Sequence, residues 1–321
     1  MLRISVVIPT YRRPDLLLKC IGALGNQDIP ASDFEIIVVS DGPDDATAAA
    51  LANLPYQPAN LRFLPMPKKG GPAAARNYGW QHAQAALIAF TDDDTIPSPL
   101  WLSGYLQAWD GSALAAFTGK VVVPLPPHPT DFAQNTAGLE TADFVTANCA
   151  CTKQALLKVG GFDERFAMAW REDSDLHFKL LQANIPLRKI EEAMIVHPVR
   201  EAPWGVSIKE QKKTLFNALL YKKFPELYQQ QIQARPPVTY YVMVVSFFAA
   251  IITLLAGHTI TALILFTIWL MFTLQFTLKR LAHTSHSAPH IYEMLYTSAV
   301  IPFASVYWHF YGCWKYGVWF G

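Results

Sequence analysis

From Pro236 to Leu278 the chain carries no Asp, Glu, Lys or Arg. A soluble core can hold one such apolar run, but two in tandem without a charge are hard to place in water. This stretch divides into two apolar runs, residues 239–256 and 259–278. Each is close to the ~20 residues that a bilayer-spanning helix needs, so two in tandem predict a membrane hairpin. Lysines and Arg235 crowd before the first run, and Lys279 and Arg280 follow the second. The positive-inside rule then places both ends on the cytoplasmic side. The location also explains the charge content, 16% against the usual quarter or so. A third segment, residues 291–312, contains Glu293, Pro302 and many aromatics. It fits a further span or a helix at the interface, where Trp and Tyr are favoured.

Residues 209–224 read as a basic amphipathic helix, with Leu215, Phe216, Leu219 and Leu220 on one face and Lys212, Lys213, Lys222 and Lys223 around it. Such a helix suits an anionic membrane surface. The expected organisation is a domain over 1–208, an interfacial helix and linker over 209–235, and a membrane region over 236–321. The formal net charge of +1 gives no global pull towards nucleic acid. The N-terminal ten residues show no signal-peptide pattern. Cys20, Cys149, Cys151 and Cys313 lack metal-site or disulfide-framework spacing, which fits a reduced, cytosolic face for the bulk of the chain.

Residues 1–200 alternate between β-branched runs and helical patterns. "RISVVIP", "FEIIVVS", "NLRFLP" and "ALIAFTD" read as strands, with "DLLLKCIGALGNQ", "ATAAALANL" and "GPAAARNYGWQHAQ" as the helices between and after them. That order predicts an α/β fold with a mainly parallel sheet. Ligands of such sheets bind outside the carboxyl ends of the strands. The polar clusters "PTYRR", "SDGPDD" and "TDDDT" all fall there.

Asp92, Asp93 and Asp94 follow an apolar strand. Alternation along a strand directs Asp92 and Asp94 to one side, where paired carboxylates suit a hard divalent cation. A solvated loop or helix cap is the plainer reading. Asp41 can accept bonds from a base or ribose, or serve a simple Asp-Gly turn. Arg76 follows a glycine-led helix start, a favourable place for anions; it reaches back to such a ligand or stands on the surface. "AWREDSDLHF" crowds Arg171, Glu172, Asp173 and Asp175 beside Trp170, as in a solvated helix start or as carboxylates turned inward.

Six motifs, "SVVIPTYRRPDLL", "EIIVVSDGPDD", "GGPAAARNYGW", "FTDDDT", "VGGFDERF" and "REDSDLHFKL", follow the order seen in glycosyltransferase family 2, which the chain resembles over roughly residues 3–200. The resemblance implies the GT-A fold and inverting sugar transfer from a nucleotide sugar. It places Thr10, Tyr11, Asp41, Arg76, Asp92 and Asp93 around the donor nucleotide. Asp92, Asp94 and His197 (of "IVHP") would hold a divalent metal, Mg2+ or Mn2+. Gly161, Phe162 and Asp163 of "GGFDE" and Trp170 would lie beside the sugar and acceptor. Asp173 would be the base, with Glu172 beside it. The "QxxRW" motif of processive synthases is missing; "VREAPWG" follows His197. Non-processive transfer to a lipid-linked or membrane-associated glycan is therefore expected, ahead of transfer to a polyprenyl phosphate.

Other classes fit less well. A nucleotidyltransferase needs a glycine-rich phosphate loop near the N-terminus, and "PTYRRPD" has no glycine. A silent glycan-binding protein has no use for Asp92, Asp94 and Asp173 together. A transporter path usually needs ionisable groups within its membrane runs, and neither run has an Asp, Glu, Lys or Arg.

Overall fold

The computed structural model describes residues 2–54, 60–233 and 237–320. Arg235 and Pro236, which bear on the expected hairpin, lie outside the described residues. In chain order the elements are β1 (Ile4–Thr10), α1 (Pro14–Leu24), β2 (Phe34–Ser40), α2 (Asp45–Ala52), β3 (Leu61–Pro65), α3 (Pro72–His82), β4 (Leu87–Thr91), β5 (Ile96–Pro97), α4 (Trp101–Ala108), β6 (Ala116–Val122), α5 (Asp131–Thr136), β7 (Asn148–Thr152), α6 (Lys153–Val159), α7 (Glu172–Gln182), β8 (Leu187–Val196), α8 (Val206–Glu210), α9 (Leu215–Lys223), α10 (Pro225–Gln231), α11 (Val238–Leu255), α12 (Thr259–Leu281) and α13 (Ala288–Tyr316). They form two compact units, one of residues 1–124 and 137–199, the other of 125–136 and 200–321.

The first unit is built on an eight-stranded sheet of order β3-β2-β1-β4-β7-β6-β8-β5. The expected parallel pairing holds from β3 through β4. Beyond β4 the sheet is mixed: β7 runs antiparallel to both β4 and β6, and β5 antiparallel to β8, while β6 and β8 are parallel. β1 and β2 are buried along their whole length, as unbroken β-branched runs covered on both faces should be. One core cluster gathers Ile4, Val6, Ile8, Leu17, Trp101 and Tyr105; the other gathers Val7, Ile37, Ile88, Phe90 and Leu176. Alternate residues of the same strands feed the two, as period-2 geometry requires.

The second unit departs from the expected domain boundaries. Residues 125–136 belong with it. Pro129 O accepts from Ser285 N at 2.7 Å, and Asp131 pairs with Arg280 at 2.7 Å. The predicted interfacial helix is also corrected. Residues 206–223 break into α8, a 3-10 turn over Gln211–Thr214 and α9. Leu215, Phe216, Leu219 and Leu220 are buried in protein, because α13 takes up that face. A Cβ on Gly312 of α13 would stand 2.5 Å from Leu215 O. The lysines are engaged in part: Lys213 pairs with Glu210, and Lys222 Nζ donates to Tyr316 O at 2.7 Å. α11 and α12 are long and apolar enough to cross a membrane. The third segment is one helix, α13, with Pro302 inside it.

Candidate active site

The site assembles where β1, β2 and β4 end and α7 begins. β4 stops at Thr91, so Asp92–Asp94 occupy a turn, not the strand on which their alternation was predicted. Thr95 closes the turn, its N–H donating to Asp92 O at 3.3 Å and its hydroxyl to the same oxygen at 2.9 Å. Asp92 and Asp94 nonetheless come together. Their carboxylates and a ring nitrogen of His197 lie within 4.8 Å of one another, the one such cluster of three among the described residues. His197 stands just past β8, its N–H bonded to Val122 O at 2.8 Å. Its Nε2 lies 3.7 Å from Asp94 Oδ1, and its buried Nδ1 has no hydrogen-bond partner. Two carboxylates and an imidazole form a donor set that suits Mg2+ or Mn2+, so the residues fit the expected metal.

Asp93 is fully buried and turns away from that cluster. It accepts from Thr10 Oγ1 at 2.7 Å and pairs with Arg13 at 2.8 Å. Burial pushes its carboxyl up to about 7 despite the pull of Arg13. Thr10 and Asp93, both predicted beside the nucleotide, are here bonded to each other. Arg13 also reaches Asp94, at 3.9 Å. The sequence reading missed Arg13; its only signal was the basic pair after "PTY".

Tyr11 is half-buried, with Lys69 Nζ 3.9 Å and the Arg12 guanidinium 5.2 Å from its ring centroid. Arg12 has a left-handed φ of +54°, rare for such a residue. Its N–H is held by Asp44 Oδ2 at 2.8 Å. Asp41 Oδ1 accepts from Gly70 N at 2.6 Å and Gly71 N at 2.9 Å. Asp41 thus ties the end of β2 to the glycines that open α3, more than a simple Asp-Gly turn. Gly71 has φ +92°, and a Cβ there would stand 2.6 Å from Ala167 O, so only glycine fits.

Arg76 is buried rather than on the surface. Its Nη2 donates to Asp92 Oδ1 at 2.6 Å and its Nη1 to Glu172 Oε1 at 3.3 Å. Burial disfavours the cation, but Asp92 and then Glu172 more than offset it, so its pKa is raised. Burial alone would raise Asp92 too; Arg76, then His197 and Arg13, hold it down. Glu172 goes the other way, up to about 7, through burial and then the neighbouring Asp173, against the opposing pull of Arg76. Glu172 Oε2 and Arg76 Nε are buried and have no hydrogen-bond partner.

The first turn of α7 therefore faces inward. Asp173 is half-buried and accepts from Ser174 N at 2.6 Å. The preceding Arg171 has φ +74°, with its guanidinium 4.7 Å from the Trp170 ring centroid. Trp170 is 37% exposed. Phe162 is not: it is 3% exposed and packs edge-on against Phe90. Its expected place beside the acceptor is corrected to core packing, because the turn folds its ring inward. Gly161 is buried and Asp163 pairs with Arg165. Asn77, missed as a contact, grips this turn through the Phe162 backbone and Glu164.

Two family models match the chain: "Glycosyl transferase family 2" over residues 5–155 and "Glycosyl transferase family group 2" over residues 87–278. The chain belongs to glycosyltransferase family 2. The glycosyltransferase AglE of Haloferax volcanii is 31% identical over 123 residues, 38% of this chain and 40% of that protein. Validoxylamine A glucosyltransferase of Streptomyces hygroscopicus subsp. jinggangensis is 27% identical over 251 residues, 65% of this chain and 56% of that protein. A GalNAc(5)-diNAcBac-PP-undecaprenol beta-1,3-glucosyltransferase of Campylobacter jejuni is 37% identical over 93 residues, 29% of each chain. The family 2 chain thus matches well under two thirds of each relative's length. Among solved structures, a mannosyltransferase from Pyrobaculum calidifontis in complex with GDP-Man and Mn2+ superposes with a TM-score of 0.60 at 16% identity, covering 98% of this chain and 87% of that one. At that identity the likeness bears on the fold, and it confirms the GT-A expectation.

Proposed function

We propose that this chain is an inverting, metal-dependent, non-processive glycosyltransferase that moves a sugar from a nucleotide sugar to a lipid-linked or membrane-associated glycan. The observation that carries this reading is the chain of contacts from the Asp92–Asp94–His197 cluster through Arg76 to Glu172, next to Asp173. It supplies an anion-binding end and a base in one site. Asp92, Asp94 and His197 would hold Mg2+ or Mn2+, which when bound neutralises charge on the donor diphosphate. Arg76, already aligned between two carboxylates, adds fixed positive charge where negative charge grows. Thr10, Tyr11 and Asp41 sit at the ends of β1 and β2, where a nucleoside would lie.

In the reaction an acceptor hydroxyl attacks the anomeric carbon. The new oxygen–carbon bond forms as the carbon–oxygen bond to the diphosphate breaks, and Asp173 takes the hydroxyl proton. A single displacement inverts the centre. Glu172, pushed up to about 7 by burial and Asp173, backs Arg76 and stands beside Asp173. Trp170 offers an aromatic face. The Mn2+ and GDP-mannose of the similar Pyrobaculum structure and the undecaprenol-linked glycan in the Campylobacter relative's name agree with this reading. α11 and α12 expose Val245, Phe248, Ile252, Leu255, Ile260 and Leu263, as membrane-embedded helices would. We accordingly read the chain as an integral protein of the cytoplasmic membrane with its catalytic unit on the cytoplasmic side.

The test is release of nucleoside diphosphate from UDP-, GDP- and dTDP-sugars, and of CMP from CMP-sugars, with Mn2+ and extracted membrane lipids as acceptors. Wild type should turn over one class, and Asp173→Asn should lose about 10²- to 10⁴-fold. Near-wild-type turnover by Asp173→Asn would remove Asp173 from its role. No release from any donor by folded wild type would defeat the transferase reading.

A further inference from the structure

We propose that Asn77 is a positioning residue for sugar transfer: it holds the Gly161–Glu164 turn in register with Arg76, while Lys179 ties the same turn to the helix of Asp173. The inference rests on the transferase reading. Arg76 and Asn77 are consecutive on α3, so their side chains leave it about 100° apart. Arg76 turns to Asp92 and Glu172. Asn77 turns to the loop and uses its full amide capacity. Its Oδ1 accepts from Phe162 N and Trp80 Nε1, both at 2.9 Å, and its Nδ2 donates to Phe162 O and Glu164 Oε1, both at 2.9 Å.

The turn is built to meet that amide. Gly161 has φ +60°, and a Cβ there would stand 2.6 Å from Asn77 Oδ1 and 2.9 Å from the Trp80 ring. From the other side, Lys179 Nζ donates to Gly161 O while pairing with Asp175 at 3.1 Å. Lys179 and Asp175 lie on α7, the helix that opens with Glu172 and Asp173. The turn is therefore bolted to the two helices that carry the arginine and the base. Small displacements of a reacting group cost large factors in rate, so loosening the turn should slow transfer while the nucleotide end of the site is spared.

Asn77→Asp is the informative variant. It keeps the shape and both bonds accepted at Oδ1. It sets its second oxygen against Phe162 O and the Glu164 carboxylate, which pushes the turn away. Glu164→Gln in the same chain returns a donor to that contact. With the full-length protein and the nucleotide sugar that wild type turns over, Asn77→Asp should lower kcat about 10- to 100-fold. Affinity for the matching nucleoside diphosphate should stay within about twofold. The double variant Asn77→Asp, Glu164→Gln should recover most of the loss. Wild-type kcat in Asn77→Asp overturns the proposal. So does a loss that tracks the folded fraction alone and is untouched by Glu164→Gln. Should Asn77→Asp fail to fold, Lys179→Met frees the turn from the α7 side, with the same split between kcat and nucleotide affinity expected and its absence equally fatal. Failure of wild type to release nucleotide from any donor is a separate result, and it removes the transferase reading itself.

Discussion

Both compact units bury an arginine against carboxylate, and the two pairs are built differently. Arg280, at the end of α12, uses all five of its N–H donors: two on Asp131, and one each on Thr297, Ser298 and Ser207. Nothing is left over, so the pair acts as an anchor. Arg76 shares itself between Asp92 and Glu172, and its Nε and Glu172 Oε2 have no hydrogen-bond partner. Buried polar groups of that kind are costly, and such departures gather where a bound group completes the network. The surfaces differ in the same sense. The first unit hides charge, with Asp93 and Glu172 buried. The second displays hydrocarbon, with Leu255 83% and Ile260 77% exposed. Exposed apolar area on that scale marks an interaction with something other than water. The network of the first unit leaves buried polar groups open; that of the second is closed and lies in a unit whose long helices are apolar outside.

The same substitution in both places separates anchor from site. Arg280→Met strands Asp131 and should cost about 3–5 kcal/mol of stability, read as loss of detergent-resistant folding. Adding Asp131→Leu should restore most of it, and nucleotide affinity of the folded fraction should be unchanged throughout. Arg76→Met should cost less stability, because Asp92 is 27% exposed on its side chain and Glu172 can keep its proton. It should instead lower transfer by roughly 10²- to 10³-fold. If Arg280→Met abolishes nucleotide binding in folded protein, or Arg76→Met leaves turnover intact, the distinction fails.

A smaller effect follows from Glu172. Unfolded, its carboxyl loses its proton near 4.5; folded, near about 7. The folded state holds the proton more tightly, so this contribution is fully present below pH 4.5 and is lost as pH rises through 7. In metal-free protein, Glu172→Gln should make the fall in stability over that window shallower. It will not flatten it, since Asp93 is also raised to about 7. An unchanged slope in denaturation curves taken across pH would show that Glu172 is ionised in the fold. The smallest effect is expected of Leu255→Ser. In detergent it should move stability by at most about 0.5 kcal/mol, since the side chain touches little protein. A loss of several times that would mean Leu255 packs against protein.

Much of the first unit was legible from its residues because its strands are unbroken β-branched runs and its motifs stand at their ends. The convergence of Asp92 and Asp94 was legible for the wrong reason, since a turn brings them together and not a strand. Arg13 was not legible: its partners Asp93 and Asp94 lie far along the chain, and local pattern carries no long-range pairing. The amphipathic pattern of 209–224 has an apolar face that was assigned to a membrane surface, but a pattern does not say whether lipid or protein covers that face. Here α13 does. Nothing local in the proline-rich stretch 125–136 assigns it to the second unit; that follows from Asp131 meeting Arg280.

The central claim is that a nucleotide sugar binds through a divalent ion held at the end of β4. A thermal-shift series on purified full-length protein tests it most directly, with UDP-, GDP-, dTDP- and CMP-sugars, in Mn2+ and in EDTA. The account predicts that one nucleotide class raises the transition only with Mn2+, by the equivalent of about 2.7 kcal/mol at a hundredfold excess over Kd. It also predicts that Asp94→Ala removes the response. A shift that survives both EDTA and Asp94→Ala, or folded wild type that responds to none of the four, would contradict it.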